Sequence, residues 1–390
     1  MTLRCFLQTL GVPVQDVEEE TFDLFAQDLP SQNLGFVDSR ASTVDITVAG
    51  RDFTIHQSPA VLSSNRAGGT TGAVLWKITP LFAEWLASPT NPLFANGILS
   101  STSLVLELGC GVSALVGLLL APRVARCVLT DQPYVARLVE QNITENAQAA
   151  AAAVLSSPRA GTPASGGERK VRREKGRGGS GGNRTRSTHS PGHHFPDLRT
   201  KVCFAPLDWE KDAVTPAFVA AACADDGKGR TRTAAAAMRR LETRSFDLVF
   251  ACDCVYNEAL IEPLVSTCAE ACRLRSVAAG PEPGYDSSSS ADDSDDPDRR
   301  GRGEGEHAEV LAPTVCLVAQ QLREPSVFEA WLECFSKQFH VWRVPEEMLK
   351  LPGQVGPGLG LRSGFAVHVG VLKGSGIEEW GLEGVVNGGL

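Results

Sequence analysis

The sequence predicts an α/β protein built on a doubly wound, mostly parallel seven-stranded sheet, with an antiparallel edge at its C-terminal end and a β-hairpin before it. Three observations carry this. Short apolar runs without polar alternation recur from residue 104 onward, as strands covered on both faces require. Segments of helical period separate them, giving the βα rhythm of a parallel sheet. The last two strand-like runs alternate instead and suit a pair at an edge.

Taken in order, Thr43-Val-Asp-Ile-Thr-Val-Ala-Gly-Arg-Asp-Phe-Thr-Ile55 reads as two alternating runs about an Ala-Gly turn. Residues 72–87 lead into a helix, with Pro80 in its first turn and Thr79 as its cap. Leu104–Leu108 is a first buried strand. It runs into Gly109-Cys-Gly111 and a helix through Leu120. Cys127–Asp131 is the second strand, with a helix over 134–146. Lys201-Val-Cys-Phe204 is the third and ends at Leu207-Asp-Trp209. Phe246–Asp253 is the fourth, followed by a helix near 258–275. Thr314–Ala319 is the fifth, with a helix over 325–338. Phe339–Val344 and Phe365–Leu372 form the antiparallel edge, and His340 and His368 fall on it as structural residues.

Three stretches do not fit the rhythm. Residues 147–196, 221–243 and 277–310 are rich in Gly, Ala, Ser, Arg or Asp and poor in large apolar residues. Without them 283 of 390 residues remain, enough for one α/β domain. The predicted organisation is an N-terminal extension over 1–69, a domain over 70–375 that carries the three inserts, and a tail over 376–390. Residues 157–190 hold nine Lys/Arg against two acids, and 286–306 hold eight acids against three Arg. Both read as solvated, unstructured segments. No aromatic is interleaved with the arginines, so no nucleic-acid contact is expected there.

Several classes are disfavoured. The apolar runs fall far short of the ~18 residues that a membrane span needs, and the first residues lack a signal-peptide core. The eleven cysteines include no CxxC pair. In a chain of this length that pattern suits neither a disulfide scaffold nor a zinc site. The expectation is a reduced, metal-free, intracellular monomer, cytoplasmic or also nuclear.

The chemistry lies in Glu107-Leu-Gly109-Cys110-Gly111-Val-Ser-Ala114, between a strand and a helix. Glycines there let the backbone approach a ligand. Asp131, 22 residues beyond Gly109, ends the next strand, where it can accept hydrogen bonds from ribose hydroxyls. The glycine spacing alone fits a dinucleotide site and an S-adenosylmethionine site equally. Glu107 favours the second: a carboxylate there suits an ammonium group and would sit badly beside a pyrophosphate. Asp253-Cys-Val-Tyr256 stands at the carboxyl end of the fourth strand, the ligand side of an open α/β sheet. Alternation points Cys254 away from Asp253, so no role is expected of it.

These motifs, with Thr71-Gly-Ala-Val-Leu-Trp76, Thr130-Asp-Gln132, Leu207-Asp-Trp209 and Phe246–Tyr256, resemble the seven-β-strand lysine methyltransferases of the methyltransferase-like 21 group. Within it, the similarity is to the fungal ribosomal lysine N-methyltransferase 5 branch. The resemblance covers roughly 70–375, inserts excluded. It implies a Rossmann-like class I methyltransferase fold and S-adenosyl-L-methionine as cofactor. Trp76, Glu107, Gly109, Cys110, Gly111, Asp131, Trp209 and Cys252 would contact the cofactor, and Asp253 and Tyr256 would face the acceptor lysine. Cys252 stands where many relatives carry Ala, a small change. The implied partner is a protein substrate, a large-subunit ribosomal protein. Another lysine target, such as a chaperone or elongation factor, stays open. So do a catalytically idle interaction module and a nicotinamide-dependent oxidoreductase.

Overall fold

The computed structural model describes residues 3–30, 35–151, 198–223, 245–278, 312–353 and 358–377. The two charged segments expected to be unstructured, 157–190 and 286–306, lie outside the described residues.

Among the described residues, nine strands form two sheets. β1 (Thr43–Val48) and β2 (Arg51–His56) make the expected hairpin. The seven-stranded sheet comprises β3 (Leu104–Leu108), β4 (Arg126–Asp131), β5 (Val202–Pro206), β6 (Leu248–Cys252), β7 (Val315–Gln321), β8 (Phe339–Arg343) and β9 (Phe365–Leu372). Its order is β5-β4-β3-β6-β7-β9-β8. The first five are parallel, and β9 runs antiparallel between β7 and β8, as the alternating C-terminal runs predict. The chain winds outward from β3 to β5, then returns to β6 on β3's other side. This reversal opens a crevice beyond the carboxyl ends of β3 and β6.

Apolar clusters cover both faces of the sheet. Val105 of β3 joins one, while Leu104, Leu106 and Leu108 join the other. The first face carries α3 (Ile78–Ala87), α4 (Leu115–Leu120) and α5 (Ala136–Ala151); the second carries α7 (Ile261–Ala278) and α8 (Pro325–Gln338). Two further helices, α1 (Leu3–Leu10) and α2 (Val17–Phe25), and a short α6 (Pro216–Ala222) were not expected. α1 buries Leu3, Phe6, Leu7 and Leu10, an i, i+3, i+4, i+7 stripe. α2 is anchored by Glu20, whose carboxylate meets the fully buried His368 of β9 at 3.0 Å and Arg343 at 3.4 Å.

Two helix boundaries differ from expectation. α5 runs on to Ala151 with Ala147, Ala150 and Ala151 buried, five residues into a stretch read as an insert. Thr79 does not cap α3. Trp76 is held in a bridge to Phe36, so the helix begins at Ile78 with Lys77 before it, and Thr79 lies inside the first turn.

The hairpin docks on α5 through two asparagines one turn apart. Asn142 accepts from the His56 N–H and donates to the His56 carbonyl; Asn146 does the same with Thr54. Side-chain amides thus pair with alternate residues of β2 as a neighbouring strand would. Asn142 also donates to the Val112 carbonyl at 2.7 Å, tying the hairpin to the glycine turn. Among the described residues, no helix is long and apolar enough to cross a membrane.

Candidate active site

A cleft of about 880 Å³, open solvent at its mouth included, lies over the crevice between β3 and β6. All ten site residues expected from the sequence line it. The segments that bring them together are the turn after β3, the ends of β4 and β6, the loop after β5, and residues 68–79 crossing above.

The turn after β3 is shaped by its glycines. Gly109 and Gly111 adopt φ of +71° and +57°. A Cβ on Gly109 would lie 2.6 Å from the Cys254 sulfur and 3.0 Å from the Trp209 ring; one on Gly111 would meet the Gly72 carbonyl at 3.2 Å. The turn is held by Cys110 N–H donating to the Thr130 carbonyl (3.0 Å) and Val112 N–H to that of Gly72 (2.9 Å). A side chain at Gly109 would displace Cys254 or Trp209, one at Gly111 would crowd the Gly72 backbone, and both positions have the positive φ that favours glycine.

Two carboxyls face this turn. Asp131, at the end of β4, accepts from Gly111 N–H at 2.8 Å and from Gln132 N–H at 2.7 Å. Burial raises it to about 6, against the pull of those two N–H groups and of Arg66. Glu107 is 3% exposed, and its Oε2 has no hydrogen-bond partner among the described residues. Burial, aided by the charge of Asp131, lifts it to about 8. An unpaired buried carboxyl costs free energy, so its place in the cleft wall calls for a cationic or hydrogen-donating ligand. The Trp209 Nε1 is a second buried polar atom without a partner among the described residues. Asp131→Ala should weaken S-adenosylhomocysteine binding by about 1–3 kcal/mol, partly by releasing Gly111. Calorimetric titration tests this, and an unchanged affinity would remove Asp131 from the site.

The segment above the cleft contains residues that sequence reasoning missed. Arg66 lies 4.2 Å over the Tyr134 ring and donates to Gln132 at 3.0 Å; Gln132 donates to the Gly68 carbonyl at 2.7 Å. These contacts clamp the Gly68–Gly72 stretch beside Asp131. Trp76 Nε1–H donates to the Thr71 carbonyl at 3.0 Å, and its ring lies 4.5 Å from Phe36. The Thr71 hydroxyl reaches across to the Tyr256 hydroxyl at 2.8 Å. Burial raises the Tyr256 phenol, partly offset by that hydrogen bond.

Asp253 differs most from expectation. Strand β6 ends at Cys252, and Asp253 takes φ +60°. That left-handed step breaks the alternation and places Cys254 against Gly109, in the cleft wall, rather than away from it. Among the described residues, the Asp253 carboxylate accepts three hydrogen bonds. Arg323 grips it with both nitrogens, at 2.7 and 2.6 Å, and Gln321 N–H donates to it at 3.2 Å. Its side chain is 2% exposed. Arg323 itself lies 5.2 Å over the Trp76 ring. The residue therefore lines the cleft with its charge already engaged by Arg323, which the sequence reading did not foresee.

Similar proteins were found at two levels. Residues 56–158 match the lysine methyltransferase family. Ribosomal lysine N-methyltransferase 5 of Zygosaccharomyces rouxii is 38% identical over 109 residues, covering 24% of this chain and 34% of that protein. Its counterpart in Vanderwaltozyma polyspora is 25% identical over 267 residues, covering 60% and 71%. Diaminohydroxyphosphoribosylamino-pyrimidine deaminase of Schizosaccharomyces pombe is 35% identical over 134 residues, covering 34% and 32%. The chain thus spans about a third of the deaminase and of the Zygosaccharomyces protein. The matched segment runs from the end of β2 through the glycine turn and Asp131 into α5; it holds one side of the cleft, while Trp209, Cys252, Asp253 and Tyr256 on the other side lie beyond it. The resemblance read from the motifs therefore stands: the chain is similar to the lysine methyltransferase family over residues 56–158, and its own sheet is seven-stranded and mostly parallel.

Proposed function

We propose that the protein transfers a methyl group from S-adenosyl-L-methionine to a lysine ε-amine of another protein, and that this substrate is a large-subunit ribosomal protein. The observation that carries the reading is the unpaired, buried Glu107 carboxyl beside a left-handed glycine turn. The donor set fits the cofactor. Glu107 offers an acceptor for its ammonium, Asp131 for its ribose hydroxyls, and the unpaired Trp209 N–H a donor. Gly109 and Gly111 let the turn run close to Trp209, Cys254 and Gly72, which a side chain at either position would push away. A dinucleotide pyrophosphate fits this wall poorly, because it would face a buried carboxyl.

The bound cofactor supplies an electrophilic methyl group; the chain's own residues position and exclude. Trp76, Thr71 and Tyr256 close the outer side of the cleft and keep water from the reacting end. The Tyr256 oxygen, already accepting from Thr71, is placed to accept an N–H of the incoming amine and so orient its lone pair. The amine must be neutral to attack. A free carboxylate beside it would hold it protonated. The Asp253–Arg323 pair carries no net charge, so Asp253 acts by positioning the 253–256 turn rather than by gripping the amine. Alignment supplies most of the acceleration.

The ribosomal target rests on the names of the yeast relatives. Thermal shift tests the cofactor assignment. S-adenosylhomocysteine should raise the midpoint and NAD should not; stabilisation by NAD alone would overturn it.

A further inference from the structure

Beside Tyr256 and Arg323, a second pocket of about 320 Å³ opens between the ends of β6 and β7 and the start of α8. Tyr256 lines both pockets, so the two meet at the proposed acceptor end. Leu322 and Phe328 supply apolar wall, and Glu324 lies in the loop at its edge. Gln320 also lines it. Cys316 and Val318 of β7 face the α8 side of the sheet, and alternation puts Gln320 on that face too. There an apolar residue would pack well. Instead an amide is 2% exposed, and its Nε2 has no partner among the described residues. A buried donor left unpaired in the free protein costs stability, and the place of Gln320 in the pocket lining beside the acceptor end suits a ligand that engages its amide.

We infer that this pocket is a substrate subsite: it takes an uncharged polar side chain flanking the acceptor lysine and hydrogen-bonds it through the Gln320 side-chain amide. The inference rests on the proposed lysine methylation. Three features fix the chemistry. A side-chain amide that makes no hydrogen bond among the described residues asks for an uncharged polar partner. The Arg323 guanidinium is already engaged by Asp253 and Gln321, which leaves it poorly placed for an acid. Glu324 at the edge disfavours an anion further. The reach is short, since an extended chain advances only about 3.3 Å per residue. Tyr256 lines both pockets, so a neighbour of the lysine enters the second while the amine sits at Tyr256.

The test uses the full chain with Gln320→Met, which keeps length and loses the donor, and Gln320→Glu, which keeps shape and reverses polarity at the amide. Large ribosomal subunits from cells lacking the enzyme serve as substrate. Thermal midpoint and S-adenosylhomocysteine affinity are read alongside. Removing an unpaired amide should raise the midpoint of the Met variant by about 2 °C or more. Both variants should raise KM for the subunits about tenfold, with the smaller share of the loss in kcat and cofactor affinity within twofold. A Met variant with an unchanged KM, or one whose midpoint falls, would overturn the subsite, the latter by showing that the amide supports the fold. A wild-type chain that binds S-adenosylhomocysteine yet methylates no lysine would overturn the proposed function instead.

Discussion

Replacing Glu107 with glutamine should weaken S-adenosylhomocysteine binding about 10- to 100-fold and make the free protein more stable. Both effects follow from one unpaired oxygen. A hydrogen bond between a charged carboxylate and an ammonium contributes about 1.5–3 kcal/mol, and the amide loses the charge. In the free protein, burial and Asp131 hold Glu107 near 8, against an ordinary 4.5. Between those values the folded chain binds a proton that the unfolded chain releases. The stability this group contributes is fully present below 4.5 and is lost as pH rises through 8. Glutamine has no such dependence. The variant's advantage should therefore grow from pH 5 to pH 8. Thermal midpoints across that range check the sign. An advantage that shrinks with pH would show that Glu107 is paired in solution.

Asp253→Asn and Arg323→Gln should each reduce methyl transfer about 100-fold, on the scale of misplaced reacting groups, while cofactor affinity stays within a few-fold. Removing one partner of a buried pair leaves the other uncompensated, at about 3–5 kcal/mol. Arg323 is 21% exposed on its side chain, so solvent reduces that figure for this pair, to about 2 kcal/mol. The two variants separate two roles. If Asp253 holds the turn through Arg323, the double variant loses no more than either single one. If Asp253 grips the amine itself, Arg323→Gln frees its carboxylate, and activity holds or rises while Asp253→Asn alone is inactive. Single-turnover rates of the three variants decide this.

What was legible in the sequence was what local pattern records. Buried parallel strands show as unbroken apolar runs, and the glycine turn, Asp131 and the Asp253–Tyr256 segment sit at strand ends that such runs locate. The α1 stripe of Leu3, Phe6, Leu7 and Leu10 was equally local but passed unread. α6 left a weak trace, because Val219 is its only buried residue. Thr79 looked like a cap because the bridge from Trp76 to Phe36, which delays the helix, joins segments 40 residues apart. Distance in sequence also hid the residues that finish the site. Arg323 lies 70 positions from Asp253, and Arg66 lies 66 from Gln132. Nothing in either neighbourhood marks the pairing. Cys254 faces the cleft for a different reason: alternation holds only while a strand lasts, and the φ of +60° at Asp253 ends it.

The most direct measurement of the central claim is transfer of a labelled methyl group. The full chain, S-adenosylmethionine labelled on its methyl group and large ribosomal subunits from cells lacking the enzyme are incubated together. The labelled protein is then digested and its modified residue assigned by mass spectrometry. The account predicts label on a lysine side chain of one large-subunit protein, abolished by excess S-adenosylhomocysteine and reduced about 100-fold by Asp253→Asn. Label on another residue type, or full transfer by a Glu107→Gln, Asp253→Asn double variant, would contradict it.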